Sequence, residues 1–347
     1  MLLRLSNCYV RCVQVKSFAN AARQFYTNSV RATRGSPGRH FAQQGIGVRA
    51  VPTLRERLLG PTTGKPFIYG TYALAGASLF GLGLLCYYGI GLSRGTSIMA
   101  NSVFWPQYVR ERLQQTYGYL AGSLGITAMS AVAASRSPAV MNLVSRGNLL
   151  TLFVSLAAIV GTGALVQAID YDNTGMKHLA WLAHTAVFGV FLAPLCYLGG
   201  PALIRAAWYT AGITAGLSLI ALTAPSEKFL RMAGPLAMGL GVVFVANIGT
   251  FFLPPTSALG ASLASIVIYG GLILFSAFLL HDTQRVVKLA EGHPMHSPSR
   301  LMQYGDFEAP RFRRFDPINA QVSIYLDILN IFIRMAMILG TGGNRRR

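Results

Sequence analysis

Two carboxylates lie where a membrane-length apolar sequence does not ordinarily carry them. Asp282 closes a long hydrophobic run in "LLHDTQRVV" (279–287), and Asp327 interrupts another in "QVSIYLDILNIFIRMAMIL" (321–339). In the second string Ser323, Asp327, Asn330 and Arg334 are spaced by four, three and four residues, and nearly everything between them is apolar. That spacing is one face of a helix. An ionisable side chain at the centre of a spanning helix costs ~2.5–3.5 kcal/mol, so the stripe must turn to the bundle interior or to a wet cavity. It is either a hydrogen-bond network that fixes packing or a polar path. The cost of keeping a carboxylate there favours the path for Asp327.

Asp282 taken alone is a boundary residue that meets water. Two features raise its interest. Read as the end of its span, it sits at a helix C-terminus, whose partial negative charge disfavours a carboxylate anion. The spans carrying Asp282 and Asp327 are also consecutive, so they can pack side by side. Two carboxylates in one site do not both ionise cheaply and tend to share a proton. Such a pair binds a divalent cation when ionised and releases it when protonated, and Ca²⁺ suits carboxylate and carbonyl oxygens. Ser323 and Asn330 would add neutral oxygens, and Arg334 would neutralise the aspartates in a closed state. His281 either tunes the site near neutral pH or is an interfacial histidine. The ions this chemistry implies are Ca²⁺ and H⁺. No nucleophile with its base, P-loop, dinucleotide fingerprint or zinc spacing accompanies them, so the sequence reads as neither an enzyme nor a cofactor binder. Cys86 and Cys196 fall in apolar runs and Cys8 and Cys12 near the start, which gives no disulfide framework.

These residues need a scaffold, and the composition says which. Of 347 residues 52% are hydrophobic and 12% charged, about half the charge of a soluble domain. Eight stretches reach the ~20 residues a membrane span requires: about 66–92, 117–134, 148–169, 179–198, 202–223, 229–252, from after 257 to near 280, and 322–339. No alternating strand pattern competes. The expected fold class is therefore an all-α, polytopic membrane helix bundle. Arg205, Arg231 and His184 lie within about a turn of span ends. The arginines can snorkel to the headgroups, and the histidine can sit as a hydrogen-bonded neutral imidazole. Small residues recur every fourth position at Ala73, Ala77 and Gly81, and at Ala207, Ala211 and Ala215. Packing inside the bundle is the expected use, with a homo-oligomer face as the alternative.

The net charge of +19 is not spread as a nucleic-acid stripe; much of it lies in the first 55 residues, in loops and in Arg345–Arg347. No Asp or Glu occurs before Glu56. Arg-rich, acid-free and amphipathic is the composition of a mitochondrial transit peptide. The expected organisation is a transit peptide and basic arm over 1–57, a first transmembrane helix with its linker over 58–116, and a seven-helix core over 117–347, in the mitochondrial inner membrane. The lipid bilayer and other inner-membrane proteins are the expected partners.

"HDTQ" at one helix end followed by "SIYLDILNIF" (323–332) in the last helix resembles the signature of the transmembrane BAX inhibitor motif family. The strings "GGPALIRAAWYTAGI" (199–213) and "APSEKFL" (224–230) resemble a mitochondrial member of it. The resemblance implies a seven-helix core, calcium leak across a membrane and suppression of cell death. It also implies a pH-sensing latch of two aspartates, here Asp282 and Asp327. The family's latch commonly adds an arginine near the end of the core's second helix. The corresponding stretch here, "AIDYDNTGMKHLAW" (168–181), has none, and Lys177 and His178 are its basic residues. A scaffold that organises the inner membrane without transporting ions is the alternative function.

Overall fold

The computed structural model describes residues 105–145, 149–224, 228–253, 257–292 and 314–343. The expected transit segment and first span lie outside these residues. Within them every regular element is helical: α1 (Gln107–Ser135), α2 (Pro138–Ser145), α3 (Leu149–Ala168), α4 (Thr174–Leu192), α5 (Gly200–Thr223), α6 (Ala233–Phe252), α7 (Ala258–Ser265), α8 (Gly271–Gly292) and α9 (Pro317–Gly343). A 3₁₀ segment, Ala193–Leu198, extends α4. A π-helical turn, Ile266–Gly270, joins α7 to α8 without a break. Six of these segments are long and apolar enough to cross a membrane, and the protein is an integral, multi-pass, all-α bundle.

α9 is the axis. Every residue from Ile324 to Ile331 is buried, because α1, α5 and α8 all pack against it. Its polar stripe is enclosed together with its apolar faces, as an ionisable face in a spanning helix must be. α4 packs across α1, and α3 packs on α4. Gly189 makes the α1–α4 crossing possible: a Cβ there would overlap the Thr127 carbonyl and lie 2.6 Å from the Ser130 Cβ. The same crossing is fastened by Ser130 Oγ donating to the Ala186 carbonyl at 2.7 Å. Gly199, at φ 92°, ends the 3₁₀ segment in a conformation only glycine adopts without strain, and Pro201 then opens α5. The outward surface is apolar, with Met129, Phe153, Ile204, Trp208, Met238, Val242 and Phe252 exposed, as lipid contact requires.

Several expectations change. α1 begins at Gln107, ten residues before Tyr117. The span expected to stop near Leu280 continues as helix to Gly292. Hydropathy drops after Leu280, but no glycine or proline occurs before Gly292, and the polar groups find partners in the core. Thr283 Oγ1 donates to the Leu279 carbonyl at 2.7 Å, and Gln284 Nε2 to the Ala221 carbonyl at 3.1 Å. Asp282 is therefore mid-helix, and the helix C-terminus argument does not apply to it. Ala207, Ala211 and Ala215 are exposed rather than packed in the bundle. The buried face of α5 is instead Ala206, Thr210, Leu217 and Ala221. Lys177, one of the two basic residues of 168–181, is fully buried in the first turn of α4.

Candidate functional site

Asp282 on α8 is 1% exposed and Asp327 on α9 is fully buried. Three contacts fix how their helices face each other. The Arg334 guanidinium lies over the Phe275 ring at 4.4 Å. At the other end, Arg112 Nη1 donates to the Ala290 carbonyl at 2.8 Å, and the same guanidinium lies 5.3 Å from the Phe315 ring. The end of α8 thus meets the start of α9, and the helices run antiparallel. Asp282 is seven residues after Phe275, and Asp327 seven before Arg334. Seven residues are two turns less about 20°, a rise of ~10.5 Å. Moving that far from the Arg334–Phe275 contact, in one direction along the bundle, reaches both aspartates on the same facing surfaces. The two carboxylates therefore share a level to within about one turn.

Their surroundings are polar at a few points only. His281 Nδ1 lies 2.8 Å from Asp282 Oδ1, and the imidazole is 12% exposed, so it sits in the bundle wall and not free at a membrane surface. Ser323, one turn before Asp327, is half-buried. Asn330 is fully buried; its Nδ2 donates to the Leu326 carbonyl at 2.8 Å, and its Oδ1 accepts from Arg334 Nη1 at 3.0 Å. Asn330 thus stands between Arg334 and Asp327 along α9. Arg334 is fully buried as well, donating from Nη1 to the Asn330 carbonyl at 2.8 Å and from Nε to the Val267 carbonyl at 3.3 Å. Val267 lies in the π-turn, a distortion that re-aims main-chain carbonyls and recurs at functional sites. Gly271 completes the pocket, because a Cβ there would overlap the guanidinium.

Among the described residues no three His, Cys, Asp or Glu side chains gather at one point. A hard cation at the aspartate pair would take its remaining ligands from neutral oxygens such as Ser323 Oγ and water. Asn330 Oδ1 would have to leave Arg334 first.

His184 is a buried, hydrogen-bonded imidazole, with Nδ1 2.9 Å from Thr162 Oγ1 and its ring edge-on to Phe188 at 5.0 Å. Thr162 Oγ1 also lies 2.7 Å from the Ala158 carbonyl, one turn back on its own helix.

A family model described as Inhibitor of apoptosis-promoting Bax1 matches residues 109–345, from the first turn of α1 to the end of α9. The chain belongs to the Bax1-I family. It is 50% identical over 298 residues to the growth hormone-inducible transmembrane protein of Rattus norvegicus, covering 85% of this chain and 82% of that one. It is 26% identical over 238 residues to the inner membrane protein YbhL of Escherichia coli K12, covering 67% and 92%. To Bax inhibitor 1 of Rattus norvegicus it is 28% identical over 203 residues, covering 55% and 75%.

Several residues of this Bax1-I domain that hold the site in place escaped the sequence reading. Gln284 accepts from the Phe229 amide at 2.9 Å while donating to Ala221, and so ties the α5–α6 connection to α8. Tyr325 reaches Thr127 Oγ1 at 2.6 Å, and Thr127 Oγ1 in turn lies 3.2 Å from the Thr185 carbonyl. Lys177 is bound to Asp316 at 2.6 Å, which gives that basic residue its own carboxylate at the start of α9. The Asp316–Pro317 pair followed by Asn319 was a legible helix start, since Asp is a preferred N-cap and Pro the preferred first residue. Its buried lysine partner, 139 residues away in sequence, left no local trace.

Proposed function

We propose that this Bax1-I protein is a proton-sensitive cation pathway of the mitochondrial inner membrane, passing Ca²⁺ through Asp282 and Asp327. The observation that carries the reading is two buried carboxylates within about one turn of the same level, on the facing sides of antiparallel helices in an apolar bundle. Ionised together they attract a divalent cation; one proton shared between them lowers that attraction. Exchange of Ca²⁺ for H⁺ and a gated leak both follow from such a pair. The acid-free, arginine-rich first 55 residues support the mitochondrial placement. The Bax1-I family name supports a part in restraining cell death. No catalytic step is proposed. The test is purified protein in liposomes with a Ca²⁺ indicator inside and a pH step outside. Ca²⁺ flux that follows the pH step and disappears in the Asp282→Asn, Asp327→Asn double variant is expected; unchanged flux in that variant overturns the reading.

A second reading has one observation in its favour. The outward Ala207, Ala211 and Ala215, beside exposed Trp208 and Tyr209, would let another helix approach α5 closely. That suits a membrane scaffold acting through a second copy or another inner-membrane protein. It predicts that the aspartate double variant still restores membrane morphology and survival to cells lacking the protein.

A further inference from the structure

The ammonium of Lys177 sits among four oxygens: the Val166 carbonyl at 2.6 Å, the Ile169 carbonyl at 2.9 Å, Asn319 Oδ1 at 3.1 Å and Asp316 Oδ2 at 2.6 Å. Lys177 is fully buried and Asp316 is 17% exposed. An ammonium has three protons and no lone pair, so it cannot give each of four oxygens its own straight hydrogen bond. At least one N–H is therefore shared between two oxygens, and the ammonium is ringed by oxygen as a monovalent ion would be.

Each wall of this cradle is also held by contacts that do not involve the lysine. Val166 and Ile169 stand at the C-terminus of α3, where carbonyls lose their helical partners and carry the negative end of the dipole. Asp316 caps α9: its Oδ1 accepts from the Asn319 amide at 2.9 Å, and its carbonyl accepts from the Ala320 amide at 3.0 Å. Capping turns Oδ2 and the Asn319 side chain toward α3. Lys177 enters from the first turn of α4 and supplies only the charge. The oxygens lie 2.6–3.1 Å from the lysine nitrogen, ordinary for an ammonium's hydrogen bonds and wider than the ~2.3–2.6 Å that Ca²⁺ takes or the ~2.0–2.1 Å of Mg²⁺. They suit a large monovalent ion held by carbonyls in place of its hydration shell.

We infer that Val166, Ile169, Asp316 and Asn319 form a monovalent-cation site in which the Lys177 ammonium is the tethered resident ion, and that K⁺ takes its place when the ammonium is removed. The site joins α3, α4 and α9 at one end of the bundle, apart from Asp282, and does not depend on what passes the aspartate pair. The tether keeps it filled whatever the free K⁺ concentration.

The test is the thermal midpoint of full-length Lys177→Met, purified in detergent and followed by tryptophan fluorescence, in K⁺, Li⁺ or choline chloride at equal ionic strength. K⁺ raises the midpoint of Lys177→Met by about 2–4 °C over choline, Li⁺ raises it less, the wild type does not respond, and adding Asp316→Asn removes the effect. Equal midpoints of Lys177→Met in K⁺ and choline overturn the inference, as does a K⁺ response that survives Asp316→Asn. Lys177→Gln, measured the same way, guards against a defect peculiar to methionine. If neither variant can be recovered folded in K⁺, the inference also fails, because the ion should have replaced the ammonium.

Discussion

Arg334 lies over the ring of Phe275 at 4.4 Å, and each is seven residues from one of the two buried aspartates. With α8 and α9 antiparallel, this contact relates the rotation and the level of Asp282 to those of Asp327. If the pair acts as one cation site, Asp282→Asn and Asp327→Asn each reduce liposomal Ca²⁺ flux at least tenfold, about 1.4 kcal/mol at the limiting step. The double variant adds little further, because residues acting as a unit are not additive. Independent, multiplying losses would show that the two carboxylates act at separate points.

Gly271 is expected to be intolerant of a side chain. Gly271→Ala drives a methyl group into the Arg334 guanidinium, and overpacking of a buried site costs about 1–3 kcal/mol. Removing the obstructed group should relieve it, so Gly271→Ala melts nearer to wild type when combined with Arg334→Met than when the two single effects are summed. Additive melting shifts would mean that the clash is absorbed elsewhere.

Tyr325 and Thr127 hold the other side of α9. Thr127 Oγ1 lies 2.6 Å from the Tyr325 hydroxyl and 3.2 Å from the Thr185 carbonyl. Tyr325 is two residues, about 200° of helix, from Asp327, so anchoring it to α1 keeps the aspartate turned toward α8. Tyr325→Phe should lower stability by about 0.5–1.5 kcal/mol through loss of this buried hydrogen bond. It should also reduce Ca²⁺ flux without removing either carboxylate. Thr127→Val combined with Tyr325→Phe should cost less than the sum, as a double-mutant cycle of thermal melts would show.

Gln284→Leu removes the partner of both the Phe229 amide and the Ala221 carbonyl. Each orphaned buried group costs about 1–3 kcal/mol, and the loss falls on the connection between α5 and α6. Limited proteolysis should cut that connection faster in the variant than in wild type, while cutting elsewhere is unchanged. Uniformly faster digestion would indicate global destabilisation instead.

Gly189→Ala should weaken the α1–α4 crossing by a similar ~1–3 kcal/mol, lowering the thermal midpoint in a way that Ser130→Ala does not reproduce. The added methyl meets the Thr127 main chain, which cannot rotate away.

The sequence by itself determined much of this protein. Composition and run length specify a helical bundle, because a chain in lipid must satisfy its backbone internally. The four-three-four spacing of Ser323, Asp327, Asn330 and Arg334 marks one face of α9, because periodicity is a property of a single helix. It did not reveal that α8 runs on past Asp282, since the polar residues after Leu280 are accommodated by Gln284 and Thr283 bonds to groups on other helices or a turn away. It also misjudged Ala207, Ala211 and Ala215, because a stripe of small residues does not say which way it faces. Only the tertiary structure decided that Lys177 belongs to Asp316, and that Arg334 is enclosed by Gly271, Phe275 and the π-turn. Those pairings join residues on different helices, and their energies depend on burial and close approach, which no local pattern encodes.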